Sequence, residues 1–248
     1  MVHVHMACRQ SMHEAPTPSA LRVQDLVRQA FEWSESDDIE SALQLQSALH
    51  NHEQWNNSLR EKAFREVKAQ LLSAVQIVVI GAAVSAEKLR SYDEETVFVA
   101  ADGAVGALDD YSQLACVVSD LDGANYLDDA AAHGQIIVVH AHGDNMVQWQ
   151  NKIPKWSQFD LPPSLILSHQ VNQIIPGMYN FGGFTDGDRA LCFILSLGVD
   201  AEKIELVGFN LERVGQWSGV TNPEKKMQKL QWMGRIVSEL GFGHFLNK

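Results

Sequence analysis

Residues 114–145, LACVVSDLDGANYLDDAAAHGQIIVVHAHGDN, contain two short apolar runs, each followed by a loop rich in polar residues. The runs at residues 114–118 and 136–139 are rich in β-branched side chains, which is typical of strands buried on both faces of a parallel sheet. The segment between them is predicted to form a helix. The stretch therefore predicts an α/β fold of the Rossmann-like kind, with a mostly parallel sheet and helices on both of its faces.

Polar side chains follow both predicted strands. Asp120 and Asp122 follow the first strand, and the second is followed by His140, His142, Asp144 and Asn145. Ligands of open α/β sheets bind at the carboxyl ends of the strands. Two carboxylates two residues apart face the same way in an extended segment, and Mg²⁺ is typically held by one or two carboxylates, waters and phosphate oxygens. A turn with a helix cap would also explain DLDG alone, but the second acidic motif favours a metal-phosphate site.

The predicted alternation of strands and helices extends through most of the chain. Residues 76–80, 96–100, 164–168 and 204–207 are predicted as further strands, and residues 223–240 as the closing helix. The first of these strands precedes the loop GAAVS, in which a lone glycine gives a weak signal for phosphate binding at a helix amino terminus. A later motif, FTDGDRA, places two carboxylates in the first turn of a helix, where they complement the helix dipole.

The chain is divided into three parts by its apolar pattern. Residues 1–19 have no regular apolar period and are predicted to form a flexible tail, whose removal should barely change stability or activity. The tail contains several histidines and a cysteine, but their spacing matches no established zinc pattern. Residues 20–73 show helical spacing and are predicted to form an appendage of two or three helices packed against the main domain. Residues 74–248 are predicted to form the α/β catalytic domain.

Composition excludes several classes of function. The 248 residues have a formal net charge of -12, which makes a nucleic-acid partner unexpected because such binding needs clustered Lys and Arg. The three cysteines are scattered, as expected of buried thiols in a reducing cytoplasm. The longest apolar run is too short to span a bilayer, and the amino-terminal residues lack the pattern of a signal peptide. We therefore expect a cytoplasmic protein without membrane contact; the sequence also allows a homodimer.

The motifs ADGA, DLDG, HAHGDN and FTDGDRA follow successive predicted strands in this order. The set resembles the archaeal 6-hydroxymethyl-7,8-dihydropterin pyrophosphokinases and, more distantly, thiamin pyrophosphokinase. The resemblance covers roughly residue 75 to the carboxyl terminus. It implies Mg²⁺-dependent transfer of the diphosphoryl group of ATP to the hydroxymethyl oxygen of the pterin, with release of AMP, in folate or methanopterin biosynthesis.

The resemblance also implies roles for individual residues. Asp120, Asp122 and Asp144 would bind the metal and, with Arg189, form the catalytic set. Other residues would bind the nucleotide, its phosphates or the nucleophile: Gly81, Ser85, Asp102, Gly103, His140, His142, Gly143, Asn145, Thr185, Asp186 and Asp188. The residue types in the loops before FTDGDRA suit a flat heterocycle, but they would equally serve to satisfy the loop backbone; these residues are Gln170, Asn172, Gln173, Tyr179, Asn180 and Phe181.

One loop departs from the family pattern. Where the family has a loop of the type GxGPS, this chain has GAAVS, and Ala83 and Val84 replace glycine and proline. A methyl group at a glycine position limits how closely the backbone can approach phosphate. The altered loop leaves open a non-catalytic nucleotide-binding regulatory protein on the same scaffold. A thiamin-type pyrophosphokinase also remains open, because the acceptor pocket is shaped by side chains scattered along the sequence.

Overall fold

A sheet of six parallel strands lies at the centre of the computed structural model, which describes residues 18–219 and 222–248. The strands are β1 (Gln76–Ile80), β2 (Thr96–Ala101), β3 (Leu114–Ser119), β4 (Ile136–Ala141), β5 (Ser164–His169) and β6 (Ile204–Val207). All six were predicted from the sequence. The prediction of an α/β fold with a parallel sheet is confirmed.

The strand order places a crevice at the carboxyl ends of the central strands. Neighbouring strands follow the order β5-β4-β3-β2-β1-β6, and every pairing is parallel. The chain thus moves in one direction from β1 to β5 and then crosses back to place β6 on the free side of β1. Ligand-binding crevices form where the direction of winding reverses. The loops after β1 and β6 are therefore expected to border a ligand site.

Helices cover both faces of the sheet. Those in the described residues are α1 (Pro18–Ala30), α2 (Glu35–Leu49), α3 (Asn57–Ser73), α4 (Ala86–Leu89), α5 (Ala124–Ala132), α6 (Met146–Trp156), α7 (Asp186–Ser196) and α8 (Pro223–Glu239). Among them, none combines the length and the apolarity that a bilayer-crossing helix needs.

Alternate residues of the strands enter two separate apolar cores. Val78 and Ile80 of β1 pack in the core that contains side chains of α2, α4, α5 and α6. Ile77 and Val79 point the other way and pack in the core formed with α3, α7 and α8. Burial on both faces explains why the strands read as continuous apolar runs in the sequence.

The helices of residues 20–73 share these cores with the sheet. Leu45 of α2 is fully buried in one core and Phe64 of α3 in the other. Between these helices, the indole Nε1 of buried Trp55 donates a hydrogen bond to the carbonyl of Pro163 at 2.6 Å. The region packs against the main domain, as predicted. The division of the chain into a helical unit and an α/β unit stays a prediction. The predicted flexible tail, residues 1–19, lies almost wholly outside the described residues.

Replacement of Leu45 by Ala should reveal how much the shared core contributes to stability. We expect the free energy of unfolding to fall by about 2–5 kcal/mol, because the substitution leaves a cavity in a packed interior. Leu43, on the same helix, is 46% exposed, and its change to Ala should cost no more than about 0.5 kcal/mol. Urea unfolding of both variants measures the difference; equal small losses would contradict a shared core.

Candidate active site

Three carboxylates meet at the carboxyl edge of the sheet. Asp102 follows β2, and Asp120 and Asp122 follow β3. One carboxylate oxygen from each residue lies within 4.8 Å of the other two. Carboxylate oxygens at such separations suit a hard divalent cation. The sequence placed Asp102 among the cofactor-binding residues, and the structure brings it beside the two predicted metal ligands as a third carboxylate.

Unusual backbone conformations bring the two loops together. The φ angle is +48° at Asp102, +77° at Leu121 and +52° at Ala124, a left-handed region that costs about 1–2 kcal/mol for a residue with a side chain. The hydroxyl of buried Ser119 stabilises this arrangement by donating to Asp102 Oδ1 at 2.5 Å and accepting the Leu121 N–H at 2.7 Å. A Cβ atom on Gly123 would lie 2.6 Å from Asp102 Oδ1, so the close approach of the loops requires glycine there.

Asp120 is the most strongly stabilised anion of the cluster. Burial alone would raise its pKa, but the hydrogen bond from His142 and the charges of Arg189 and Lys229 outweigh burial and lower the pKa well below the ordinary value. Its Oδ2 lies 3.4 Å from His142 Nε2 and 3.8 Å from Arg189 Nη1. Its Oδ1 is buried and has no hydrogen-bond partner among the described residues. This oxygen therefore has open lone pairs for a cation.

The pKa values of the other carboxylates are raised, in contrast to that of Asp120. Burial and the neighbouring carboxylates, Asp186 first, raise the pKa of Asp102 well above its ordinary value. Partial removal of the carboxylate from water and the charge of Asp120 raise the pKa of Asp122. At the start of α7, burial and the charge of Asp120 raise the pKa of Asp186 to about 8, partly opposed by Arg189. At neutral pH Asp186 therefore retains a proton, which the charge of a bound cation would displace.

Arg189 is a buried cation that points into the site. Its Nη1 lies 3.2 Å from Asp186 Oδ1, and its Nη2 donates to Gln170 Oε1 at 3.2 Å. Its Nε is buried without a hydrogen-bond partner in the described part of the chain. Gln170 in turn donates to Asp38 Oδ2 at 2.8 Å. A chain of polar contacts thus connects the start of α2 with the carboxylates.

His140 has a structural role. It lies inside β4, where burial and the charge of Arg189 keep its pKa well below the ordinary value, so the ring is neutral. Its Nε2 is 3.3 Å from the amide oxygen of Gln170, an acceptor, so the ring proton is on Nε2. Its Nδ1 then accepts from the Ser168 hydroxyl at 3.0 Å. Both ring nitrogens are therefore occupied by protein groups.

The loop after β4 is tied to the loop after β3. The Asn145 amide donates to the carbonyls of Asp120 and His140 at 2.8 and 2.6 Å and accepts the His142 N–H at 3.0 Å. The His142 ring accepts the Asp144 N–H on Nδ1 at 3.2 Å, which turns Nε2 toward Asp120. Asn145 therefore positions His142 and is occupied by backbone groups itself.

Asp144 is not part of the carboxylate cluster. It is exposed and lines a neighbouring cleft with Asp37. The adjacent Gly143 donates its N–H to buried Asp38 Oδ1 at 2.9 Å. The structure thus separates Asp144 from the trio of carboxylates at the sheet edge, and its assignment as a metal ligand stays a prediction from sequence.

Three of the predicted ligand-binding residues cap helices. The Ser85 hydroxyl accepts the Lys88 N–H at 3.3 Å and begins α4. Thr185 and Asp188 form a capping box at the start of α7, in which Asp188 Oδ2 accepts the Thr185 N–H at 3.0 Å and its hydroxyl at 2.7 Å. The Phe184 N–H donates to the other Asp188 oxygen. Asp188 is therefore fully buried and engaged, and capping explains its position.

Residues 208–219 cover the loop after β1. The Trp217 N–H donates to the Ala82 carbonyl at 3.1 Å, and its indole Nε1 donates to the Val84 carbonyl at 3.0 Å. A Cβ atom on Gly103 would lie 2.4 Å from the Trp217 carbonyl oxygen, so glycine is required where the covering segment crosses the end of β2. The altered GAAVS loop is thus held by the covering segment.

Two clefts flank the carboxylates. The loop cleft is lined by the GAAVS loop, the covering segment and the start of α7, including Gly81, Ala83, Asp102, Gly103 and Trp217. The aromatic cleft is lined by Trp33, Asp120, Asp122, His142, Phe184, Arg189 and Lys229. Thr185, Asp186 and Lys226 line both. The cluster of charges therefore lies where two binding spaces meet.

The predicted pocket for the heterocycle is wrong for its two aromatic residues. Tyr179 stacks on Phe64 with ring centroids 4.7 Å apart. Phe181 packs with Phe64 in the apolar core that the sheet forms with α3, α7 and α8. The Asn180 amide is bonded to Gln24 and to the Val171 carbonyl. These side chains stabilise the fold on the face that α3 and α7 cover.

Several residues of the site were missed in the sequence. Lys226 and Lys229 lie three residues apart on α8 and share one face of the helix, a spacing that could have identified them. Trp33 and Asp38 reach the site from the amino-terminal helices, and no local pattern predicts a contact with residues more than a hundred positions later. Ser119, which follows the predicted strand of residues 114–118, was given no role.

Comparison with known proteins identifies the family, although no family model matches the chain. The chain is 36% identical to a protein of Pyrococcus furiosus over 186 residues, which cover 70% of this chain and 76% of the relative. A relative from Methanothermobacter thermautotrophicus is 34% identical over 62% of this chain and 67% of its own length. One from Methanocaldococcus jannaschii is 30% identical over 74% of this chain and 75% of its own length. All three are named 6-hydroxymethyl-7,8-dihydropterin pyrophosphokinase. With its motifs in the family order at successive strand ends, the chain belongs to the 6-hydroxymethyl-7,8-dihydropterin pyrophosphokinase family.

Proposed function

We propose that the protein transfers diphosphate from ATP to the hydroxymethyl group of 6-hydroxymethyl-7,8-dihydropterin and releases AMP. The observation that carries the proposal is the cluster of Asp102, Asp120 and Asp122, whose oxygens lie within 4.8 Å of one another between two clefts. Two substrates must meet at one reacting centre in such a transfer. The names of the three relatives support the choice of the pterin as acceptor.

Mg²⁺ fits the donor set of this cluster. The ligands are hard carboxylate oxygens, and the buried, unpaired Oδ1 of Asp120 has an open position for a cation. Asp102, Asp120 and Asp122 would hold the ion. When bound, Mg²⁺ supplies positive charge that neutralises phosphate oxygens and the charge that develops during transfer. The low pKa of Asp120 keeps this ligand ionised across the physiological range.

Protein cations surround the same point. Arg189 is 5% exposed, and Lys226 and Lys229 are half-buried on the facing side of α8. Phosphoryl-type transfer depends mostly on positioning and on charge stabilisation, because the protein takes little part in the covalent chemistry. In this proposal, the three side chains orient the phosphates and stabilise the charge on the transferred group.

We assign ATP to the loop cleft and the pterin to the aromatic cleft. The loop cleft is bordered by backbone of the GAAVS loop and by the amino-terminal turn of α7, which favours anions. The aromatic cleft contains Trp33 and Phe184, which suit a flat heterocycle. Lys226 and Asp186 lie between the clefts, where the transferred diphosphate would pass.

Substitution of Asp122 tests the metal site. We expect Asp122→Asn to lower turnover by at least about a hundredfold, comparable to the loss of a major electrostatic stabiliser, and to raise the Mg²⁺ concentration required. Asp144→Asn should leave the required Mg²⁺ concentration unchanged, because Asp144 lies outside the carboxylate cluster. Asp129→Asn, an exposed carboxylate on α5, is the matched control and should be neutral. Near-normal turnover of Asp122→Asn would refute the metal assignment.

Removal of the Lys229 charge tests the phosphate contacts. Lys229→Met should raise the KM for ATP or lower kcat by about tenfold or more, because a charge-assisted hydrogen bond is worth about 1.5–3 kcal/mol. Lys225→Met is the control. The ammonium groups of Lys225 and Lys229 both lie over the Trp33 ring, at 5.6 and 5.4 Å from its centroid, but Lys225 is exposed and lines neither cleft. Steady-state kinetics of both variants make the comparison. Equal effects would show that only the overall charge of α8 matters.

A further inference from the structure

Trp33 and His142 form a pair of nearly parallel, separated rings. Their planes differ by 14° and their centroids lie 6.4 Å apart. Two other stacked pairs are closer, at 5.0 Å for Phe31 and Trp33 and 4.6 Å for His52 and Trp55, whereas Phe64 and Phe181 in the core also lie 6.4 Å apart. A flat ring between two walls needs roughly 7 Å, twice the contact distance of about 3.5 Å between carbon atoms. The centroid separation of 6.4 Å is about 0.6 Å short of that width, so the two rings move apart slightly to admit a flat ring.

These two residues also join two binding spaces. Trp33 and His142 line the aromatic cleft, and both line a third space that we call the acidic cleft, together with Glu32, Ser34, Asp37, Asp38, Gly143 and Asp144. No other residue is shared by the two linings within the described part of the chain. A molecule that passes between the two rings would therefore reach the carboxylate cluster at one end and the acidic cleft at the other.

Both walls are held in place. The His142 ring is fixed at its two nitrogens, by the Asp144 N–H at 3.2 Å and by Asp120 at 3.4 Å. Trp33 is supported by Phe31 and by Phe184, whose centroid lies 5.8 Å away. Walls held in this way lose little conformational freedom when a ligand binds between them.

The acidic cleft supplies acceptors at the far end of the slot. Asp38 is buried, and its oxygens accept from the Gly143 N–H and the Gln170 amide. Asp37 and Asp144 are exposed to the cleft and have carboxylate oxygens available to a ligand. A carboxylate accepts two hydrogen bonds side by side, which matches the adjacent N–H donors of a 2-amino-4-oxopteridine.

We propose that the pterin lies between Trp33 and His142, with its hydroxymethyl group toward Asp120 and its amino-oxo edge toward Asp37 and Asp144. This inference rests on the proposed function and names the residues that select the acceptor. Stacking supplies affinity for a flat ring, and the carboxylates discriminate against heterocycles without paired donors. It also explains why the amino-terminal helices reach the active site, since they contribute one wall and the acceptor groups.

Direct titration of 6-hydroxymethyl-7,8-dihydropterin, followed by fluorescence in the absence of turnover, tests the slot. We expect Trp33→Leu to raise the dissociation constant for the pterin about tenfold or more, the amount that loss of one stacked aromatic wall costs a flat base. Trp33→Phe should restore most of the affinity, and the affinity for a non-hydrolysable ATP analogue should change less than about twofold. Asp37→Asn should weaken pterin binding to a similar degree.

Two control variants accompany the titration. Trp232→Leu removes another half-buried tryptophan from the same small apolar cluster as Trp33. Glu35→Gln removes an exposed carboxylate from the turn that contains Asp37 without touching the acidic cleft. Both should bind the pterin as the unmodified protein does.

The possible failures are distinguishable. If the unmodified protein binds and converts the pterin while Trp33→Leu binds it equally well, or loses both ligands equally, the slot is refuted and the proposed function stands. If Asp37→Asn binds the pterin normally, the orientation of the amino-oxo edge is refuted. If the unmodified protein binds no pterin, the proposed function fails and the slot fails with it.

Discussion

Repulsion among carboxylates at one edge of the sheet is the constraint on which the rest of the site depends. Asp102, Asp120, Asp122 and Asp186 lie close enough to shift one another's pKa. Two unit charges about 4 Å apart interact with about 4 kcal/mol near a protein surface, a large share of the roughly 5–15 kcal/mol that stabilises a folded protein. The four groups therefore cannot all be ionised without compensating charge.

The protein compensates in two ways. Arg189, Lys229 and the hydrogen bond from His142 keep Asp120 ionised, while Asp186, whose pKa is raised to about 8, retains a proton at neutral pH. The two acidic loops approach closely where Gly123 meets Asp102, and Ser119 bonds to Asp102 there. This close approach needs a rigid support beneath both loops. The parallel sheet gives that support by ending β2 and β3 side by side.

Much of the fold could be predicted because its signals are local. Strands buried on both faces appear as short apolar runs, and the carboxyl edge of a parallel sheet collects whatever polar residues follow them. Asp120 and Asp122 were found in this way. The capping role of Asp188 was not predicted, because a capping carboxylate and a ligand-binding carboxylate look alike in the first turn of a helix. Trp33 and Asp38 could not be found, since their contacts with His142 and Gly143 depend on how α2 packs against the sheet.

The pH dependence of stability measures the central claim, that the cluster holds protons in place of a cation. In the folded protein the pKa of Asp186 is about 8, and in the unfolded chain it returns to about 3.9. As pH rises from about 4 through 8, the unfolded chain releases this proton first, so stability contributed by the protonated form is progressively lost. The loss should approach about 1.4 kcal/mol per pH unit relative to Asp186→Asn, which carries no such proton, and saturating Mg²⁺ should reduce it. The test is to measure the unfolding free energies of both proteins between pH 5 and 9, with and without Mg²⁺. A wild-type stability that falls toward pH 8, and falls less with Mg²⁺ than without it, agrees with the proton-holding cluster; identical pH profiles for the two proteins contradict it.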